Sequence, residues 1–189
     1  MAKLIAERAD VIPQLAEIFR IYGFEGASLA RITEGTKLGK GSIYHFFPGG
    51  KEEMASAVLS EIDGWFSVNA FLPLRDEPVA AHGISRMFDE VQRYFLSGRK
   101  VCLVGVFALG NERDRFGAAV KAYFKEWVEA LTAALVRDGW GAISATDLAE
   151  DVVASIQGGL VLARALNQPK VFVRMLDRLK LRCAQREKS

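Results

Sequence analysis

Between Gly39 and Met54 the chain reads GKGSIYHFFPGGKEEM, which concentrates lysine, glycine and aromatic side chains in a segment too short to be a domain. Lysine beside glycine first suggests a loop that cradles phosphate. A P-loop needs four residues between its glycines and a Ser or Thr directly after the lysine. Gly35 and Gly39 enclose three residues, Gly41 follows Lys40, and no strand is predicted upstream, so the requirements of nucleotide hydrolysis are not met. A solvated turn accounts for the lysines but not for Tyr44, His45, Phe46 and Phe47 in succession. The residue types fit a helix-turn-helix better, where the second of two short helices enters a DNA major groove and its N-terminal residues reach base edges. Gly41 and Ser42 are small enough for close approach, and Lys40 supplies charge for a phosphate or a guanine edge. Tyr44 and His45 offer hydrogen bonds to the DNA backbone. Lys51 falls at the start of the next helix, whose unpaired N–H groups favour an anion. Ser28, at the start of the preceding helix, joins this DNA-contact set.

Other chemistry has little to stand on. No nucleophile, base and orienting group occur together, so the sequence reads as no enzyme, with no cofactor. Cys102 and Cys183, with His45 and His82, are too few and too scattered for a zinc site or a disulfide framework. His82 reads as a surface residue, and Cys102 in its apolar run reads as packing before it reads as a redox sensor. The second half is rich in aromatic and apolar side chains at helical spacing. Trp65, Phe66, Met87, Phe88, Val91, Phe95, Cys102, Phe107, Phe124 and Trp127 form a candidate ligand pocket, with Gln92, Asn111 and Gln157 as further polar anchors. The same residues also suit an ordinary core.

These groups have to be positioned by helices. Val11, Leu15, Ile18, Phe19 and Tyr22 line one face, and Gly23 can end that helix. Ser28 caps a short helix with Leu29 and Ile32 turned inward, and Lys40 to His45 form a shorter one with Ile43 as the inward residue. Met54, Val58, Ile62, Trp65 and Phe66 continue on a longer helix, which the segment Leu72 to Pro78 is expected to break. Further apolar faces follow from Ile84 to Phe95, Val101 to Leu109 and Phe116 to Leu135. Ser144, with Asp147 three residues on, predicts the start of the next helix, and Pro169 opens the last. No alternating strand pattern is present, so the fold class is all-α.

Phe19, Gly23, Ser28, Leu29 and Ile32, then Lys40 through Phe47, and Lys51-Glu52 resemble the N-terminal signature of the TetR/AcrR family of one-component repressors. The FPGGKEE variant, with two extra residues before the lysine, resembles the LmrA/YxaF-like branch, and Cys102 to Gly105 look like the sixth helix of that branch. The resemblance implies a three-helix helix-turn-helix DNA-binding domain at 1–51 and a helical ligand-binding and dimerisation domain at 52–189. It also implies a homodimer closed by the last two long helices. The chain departs from the family at Lys37, Leu38 and Gly39, where a turn glycine, a small residue and a serine cap are usual. Val106 and Gly110 stand where polar residues are expected, so no particular ligand is carried over.

Gly158 and Gly159 lie inside a predicted helix, where each costs about 1 kcal/mol of propensity unless close packing offsets it. A partner helix approaching there predicts a dimer interface of Ile156, Gly159, Leu160, Phe172, Met175, Leu176 and Leu179. The competing idea is a kink around a ligand cavity.

Composition sets the remaining bounds. With 189 residues, half of them hydrophobic, the chain can bury one substantial core. The net charge of +2 divides into +2 for 1–51, −6 for 52–163 and +6 for 164–189. No secretion signal and no membrane-spanning run are recognised, so a reduced, cytoplasmic location and no membrane partner are expected. The leading reading is a ligand-responsive regulator, acting as a repressor, that binds a palindromic double-stranded DNA operator as a dimer and is released by a small apolar or aromatic inducer. The alternative is a small-molecule-binding helical protein without DNA readout.

Overall fold

The structure, a computed structural model, describes residues 7–110 and 113–185, and all regular structure among these is helical. Its helices are α1 (Arg8–Gly26), α2 (Leu29–Thr36), α3 (Lys40–Phe46), α4 (Gly50–Phe66), α5 (Leu72–Asp76), α6 (Ala80–Tyr94), α7 (Leu103–Leu109), α8 (Arg113–Arg137), α9 (Ala142–Ala165) and α10 (Lys170–Ala184). Two compact units result. One holds the described residues up to Asp63 together with Leu103–Val120, and the other holds Gly64–Cys102 with the described residues from Lys121 onward.

In the first unit α1 buries Val11, Leu15, Ile18 and Phe19 at the expected spacing. Tyr22 departs from that stripe: it is exposed, and the Arg31 guanidinium lies 4.2 Å from its ring centroid. Gly23, at φ 67°, interrupts the helix as its position suggested. The Ser28 hydroxyl accepts the Arg31 backbone N–H at 3.4 Å, capping α2. Phe19, Phe24, Phe107 and Phe116 form a ring cluster, with Phe107 and Phe116 stacked at 5.3 Å and Phe24 edge-on to Phe116 at 5.3 Å. Through these rings α7 and the start of α8 complete the core under α1.

The turn after α2 is built on a lysine. Lys37 takes φ 58° and ψ 18°, a left-handed conformation that glycine adopts without steric cost. Buried Thr36 braces it: its hydroxyl donates to the Ile32 carbonyl at 2.7 Å and accepts the Leu38 N–H at 3.4 Å. Lys37→Gly removes left-handed strain of about 1–2 kcal/mol and adds about 0.5–1 kcal/mol of unfolded-state entropy. Strain relief wins, so urea unfolding of this variant is expected to show a gain of a few tenths to about 1 kcal/mol; a loss would mean that the lysine side chain stabilises the turn.

The second unit is organised around Phe66, whose ring lies 4.9–6.0 Å from those of Phe71, Tyr94, Phe95, Tyr123 and Trp127. The break expected at Leu72 to Pro78 is only partial. A π-helical turn (Ser67–Phe71) carries α4 into α5, where Pro73 fits because the first turn of a helix needs no N–H from it, and the chain leaves helical geometry at Glu77. α6 buries Ile84, Met87, Phe88 and Val91 on one face.

The N-cap of α9 is Gly141 rather than Ser144, because the Gly141 carbonyl already accepts the Ala145 N–H at 2.8 Å. The residues expected at a dimer interface pack within the chain. Ile156, Gly159, Leu160, Phe172, Leu176 and Leu179 are buried, Met175 is half-buried, and α9 packs on α10 of the same chain. A Cβ on Gly159 would collide with Met175 Sδ and sit 3.3 Å from a Phe172 ring carbon. The close approach that offsets the glycine is therefore intramolecular. Cys183 is buried on α10, and burial pushes its thiol up to about 12, which removes it from thiolate chemistry at neutral pH.

Candidate nucleic-acid interface

α3 has seven residues, and such a helix cannot persist without tertiary anchoring. Ile43 supplies it, with no exposed surface, and Phe47 just beyond the helix is equally buried. With the inward side fixed, Lys40, Gly41, Ser42, Tyr44 and His45 are all exposed. No carboxylate pairs with Lys40 among the described residues; its ammonium lies 6.0 Å from the Tyr44 ring centroid. A Cβ at Gly41 would meet no atom within 4 Å, so the fold itself does not require a glycine at this place. The helix thus offers a cation, hydroxyl groups and an imidazole around a gap in the side-chain surface.

Arg8, which sequence reasoning passed over, holds the far end of α3. Its Nε donates to the Phe46 carbonyl at 3.2 Å, its NH2 reaches Glu53 Oε1 at 3.3 Å, and its guanidinium lies 4.8 Å from the Phe47 centroid. Glu53 Oε2 accepts the Gly49 N–H at 2.8 Å, closing the PGG turn. A lone arginine before an apolar stripe carries no local signal of this role; the contact spans 45 residues of sequence.

Lys51 does not project freely from the α4 N-terminus. Its ammonium lies 4.4 Å from the Phe24 centroid and 3.5 Å from both Glu25 Oε2 and the Glu25 carbonyl. These polar distances exceed those of good N–H···O bonds. Ser28 is exposed but already committed to its cap.

The candidate pocket residues are only partly gathered. Trp65, Phe66, Met87, Phe88, Val91, Phe95, Cys102, Phe124 and Trp127 belong to the second unit, whereas Phe107 belongs to the ring cluster of the first. The second cluster also includes Phe71, Tyr94 and Tyr123, which the sequence reading left out. Inside it, buried Trp127 Nε1 has no hydrogen-bond partner among the described residues, and neither does Gln157 Nε2 on α9. Asn111 lies outside the described residues. Among them no group of His, Cys, Asp and Glu could hold a metal ion, and no helix is long and apolar enough to cross a membrane.

The outer face of α9 presents a different surface. Val161, Leu162 and Leu166 are 62, 51 and 54 % exposed, in line with exposed Ala154, Gly158 and Ala165. No charged residue occurs from Val152 to Ala163. The exposed side of α10 is charged instead, with Lys170, Arg174, Asp177 and Arg178.

Comparison with known proteins accords with this geometry. The family model for bacterial regulatory proteins of the tetR family matches residues 14–58, and that for the C-terminal domain of LmrA/YxaF-like transcriptional regulators matches 80–177. The HTH-type transcriptional regulator LmrA of Bacillus subtilis (strain 168) is 26% identical over 161 residues, covering 82% of this chain and 85% of that protein. A TetR transcriptional regulator from Legionella pneumophila has a similar structure, with TM-score 0.76 and 21% identity, covering 95% of this chain and 98% of the other. A cysteine mutant of the TetR-family regulator CifR, solved with 26-base-pair double-strand operator DNA, gives 0.74 and 22% over the same shares.

Proposed function

Because the chain belongs to the TetR family of bacterial regulatory proteins, with an LmrA/YxaF-like C-terminal domain, we propose that this DNA-binding regulator is a cytoplasmic repressor. It acts as a homodimer on a palindromic operator, and a small, largely apolar or aromatic inducer releases it. The observation that carries this reading is α3, a helix anchored through Ile43 that leaves Lys40, Gly41, Ser42, Tyr44 and His45 exposed. DNA contact is assigned to these residues with Ser28 and Lys51, within 1–51; inducer binding and dimerisation are assigned to 52–189. The outer face of α9 is the dimer surface this reading favours, since it is apolar and carries no charge from Val152 to Ala163. The Phe66 cluster favours a flat apolar inducer, and Trp127 Nε1 favours one with a hydrogen-bond acceptor.

The test is a gel shift on the intergenic DNA flanking the gene. A protected palindrome with half-sites about one helical turn apart, or a multiple, supports the reading; no protected segment moves the protein to ligand binding without DNA readout. Tyr44→Phe keeps the ring and deletes one hydrogen bond, so operator affinity should fall by about 1 kcal/mol while the melting temperature is unchanged. Full affinity would assign Tyr44 to packing. Lys51→Ala should weaken binding to every sequence alike and reduce the slope of log affinity against log salt by about one.

A further inference from the structure

Two cations share the Phe24 ring. Lys51 Nζ lies 4.4 Å from its centroid and Arg115 Cζ 5.1 Å. The Glu25 carboxylate stands between them, with Oε2 3.5 Å from Lys51 Nζ and Oε1 4.0 Å from Arg115 NH1. Arg115 Nε also pairs with Glu52 Oε1 at 3.3 Å. All four charged groups belong to the first unit, yet Arg115 comes from the start of α8, more than sixty positions beyond Lys51 in the sequence.

The arrangement sets up a competition. Glu25 and Glu52 are well exposed, so each pair is weak and the Glu25 carboxylate can shift between the two cations at little cost. Where it rests decides how much of the Lys51 charge is left for an anion. With Arg115 in place, Glu25 is shared between the two cations, and the Lys51 ammonium keeps only long contacts. Without Arg115, Glu25 keeps Lys51 as its ion-pair partner, and a phosphate would have to displace it.

We propose that Arg115 is a positioning residue for DNA binding, which draws the Glu25 carboxylate from Lys51 so that Lys51 can take a backbone phosphate. This rests on the reading of Lys51 as a phosphate contact. Phe24 makes the effect responsive to α7 and α8, because its ring packs edge-on against Phe107 and Phe116, 6.3 and 5.3 Å away. A shift of the first turns of α8 moves Arg115 relative to Glu25 and returns that carboxylate to Lys51.

The experiment measures binding to a fluorescein-labelled random-sequence duplex between about 50 and 200 mM salt, because a phosphate contact acts on any sequence. Arg115→Gln, which retains a stem over Phe24, should weaken binding about two- to fivefold, the range of an exposed ion pair, and lower the salt slope by about one. Arg115→Lys should restore both. In a Glu25→Gln background Arg115→Gln should lose most of its effect, since the main competing carboxylate is gone. The same loss in both backgrounds, or no rescue by lysine, overturns the proposal while Lys51→Ala still flattens the slope. If Lys51→Ala leaves the slope unchanged, the phosphate reading of Lys51 fails, and this proposal fails with it.

Discussion

Glutamate at both Val161 and Leu162 is expected to give a folded protein that sediments as a monomer and binds its operator about 10²–10⁴-fold more weakly, the advantage that two linked half-site contacts confer over one. Both residues are more than half exposed, so neither substitution empties a buried core site. Circular dichroism should therefore match the parent protein. In a two-fold dimer each patch meets its own copy, so the substitutions bring four carboxylates into one interface instead of four apolar side chains. A variant that stays dimeric with normal affinity would take the outer face of α9 out of the interface. Gly159→Leu gives no such clean result: Met175 and Phe172 occupy the space its side chain needs, so its first effect is on the fold of the monomer.

Ile43→Ala is the other change with a large expected effect. It empties a fully buried site beneath α3 and should cost about 2–5 kcal/mol of stability, as large-to-small core substitutions do. No other residue of this seven-residue helix is buried, so the loss falls on the element that presents Lys40, Tyr44 and His45. Operator binding and urea stability should fall together. Tyr44→Phe, in contrast, should lower binding alone, and the pair of variants separates support of the helix from contact with DNA. Unchanged stability in Ile43→Ala would mean that α3 is held by its flanking turns.

The cap of α2 and the inward residue of α3 were legible because their signals are local. Ser28 caps the helix that follows it directly, Ile43 is the one apolar residue that a short helix needs inward, and both are readable from spacing. Tyr22 was misread by the same logic. It continues the α1 stripe in sequence, but Arg31 from α2 covers its ring at the surface instead of the core closing over it.

The sequence by itself determined an all-helical chain, the helix-turn-helix and the inward faces of most helices, because helix formation and burial periodicity depend on residues within a few positions of each other. Tertiary structure alone decided what each apolar face meets. The stripe through Gly159, Leu160, Phe172 and Leu176 reads the same whether its partner is another copy or the next helix of the same chain, and the fold closes α9 onto α10. It also placed Phe107 with Phe19, Phe24 and Phe116 and brought Arg115 to Glu25 and Glu52. Such pairings follow from three-dimensional packing, for which a periodic pattern specifies a face but not the partner that covers it.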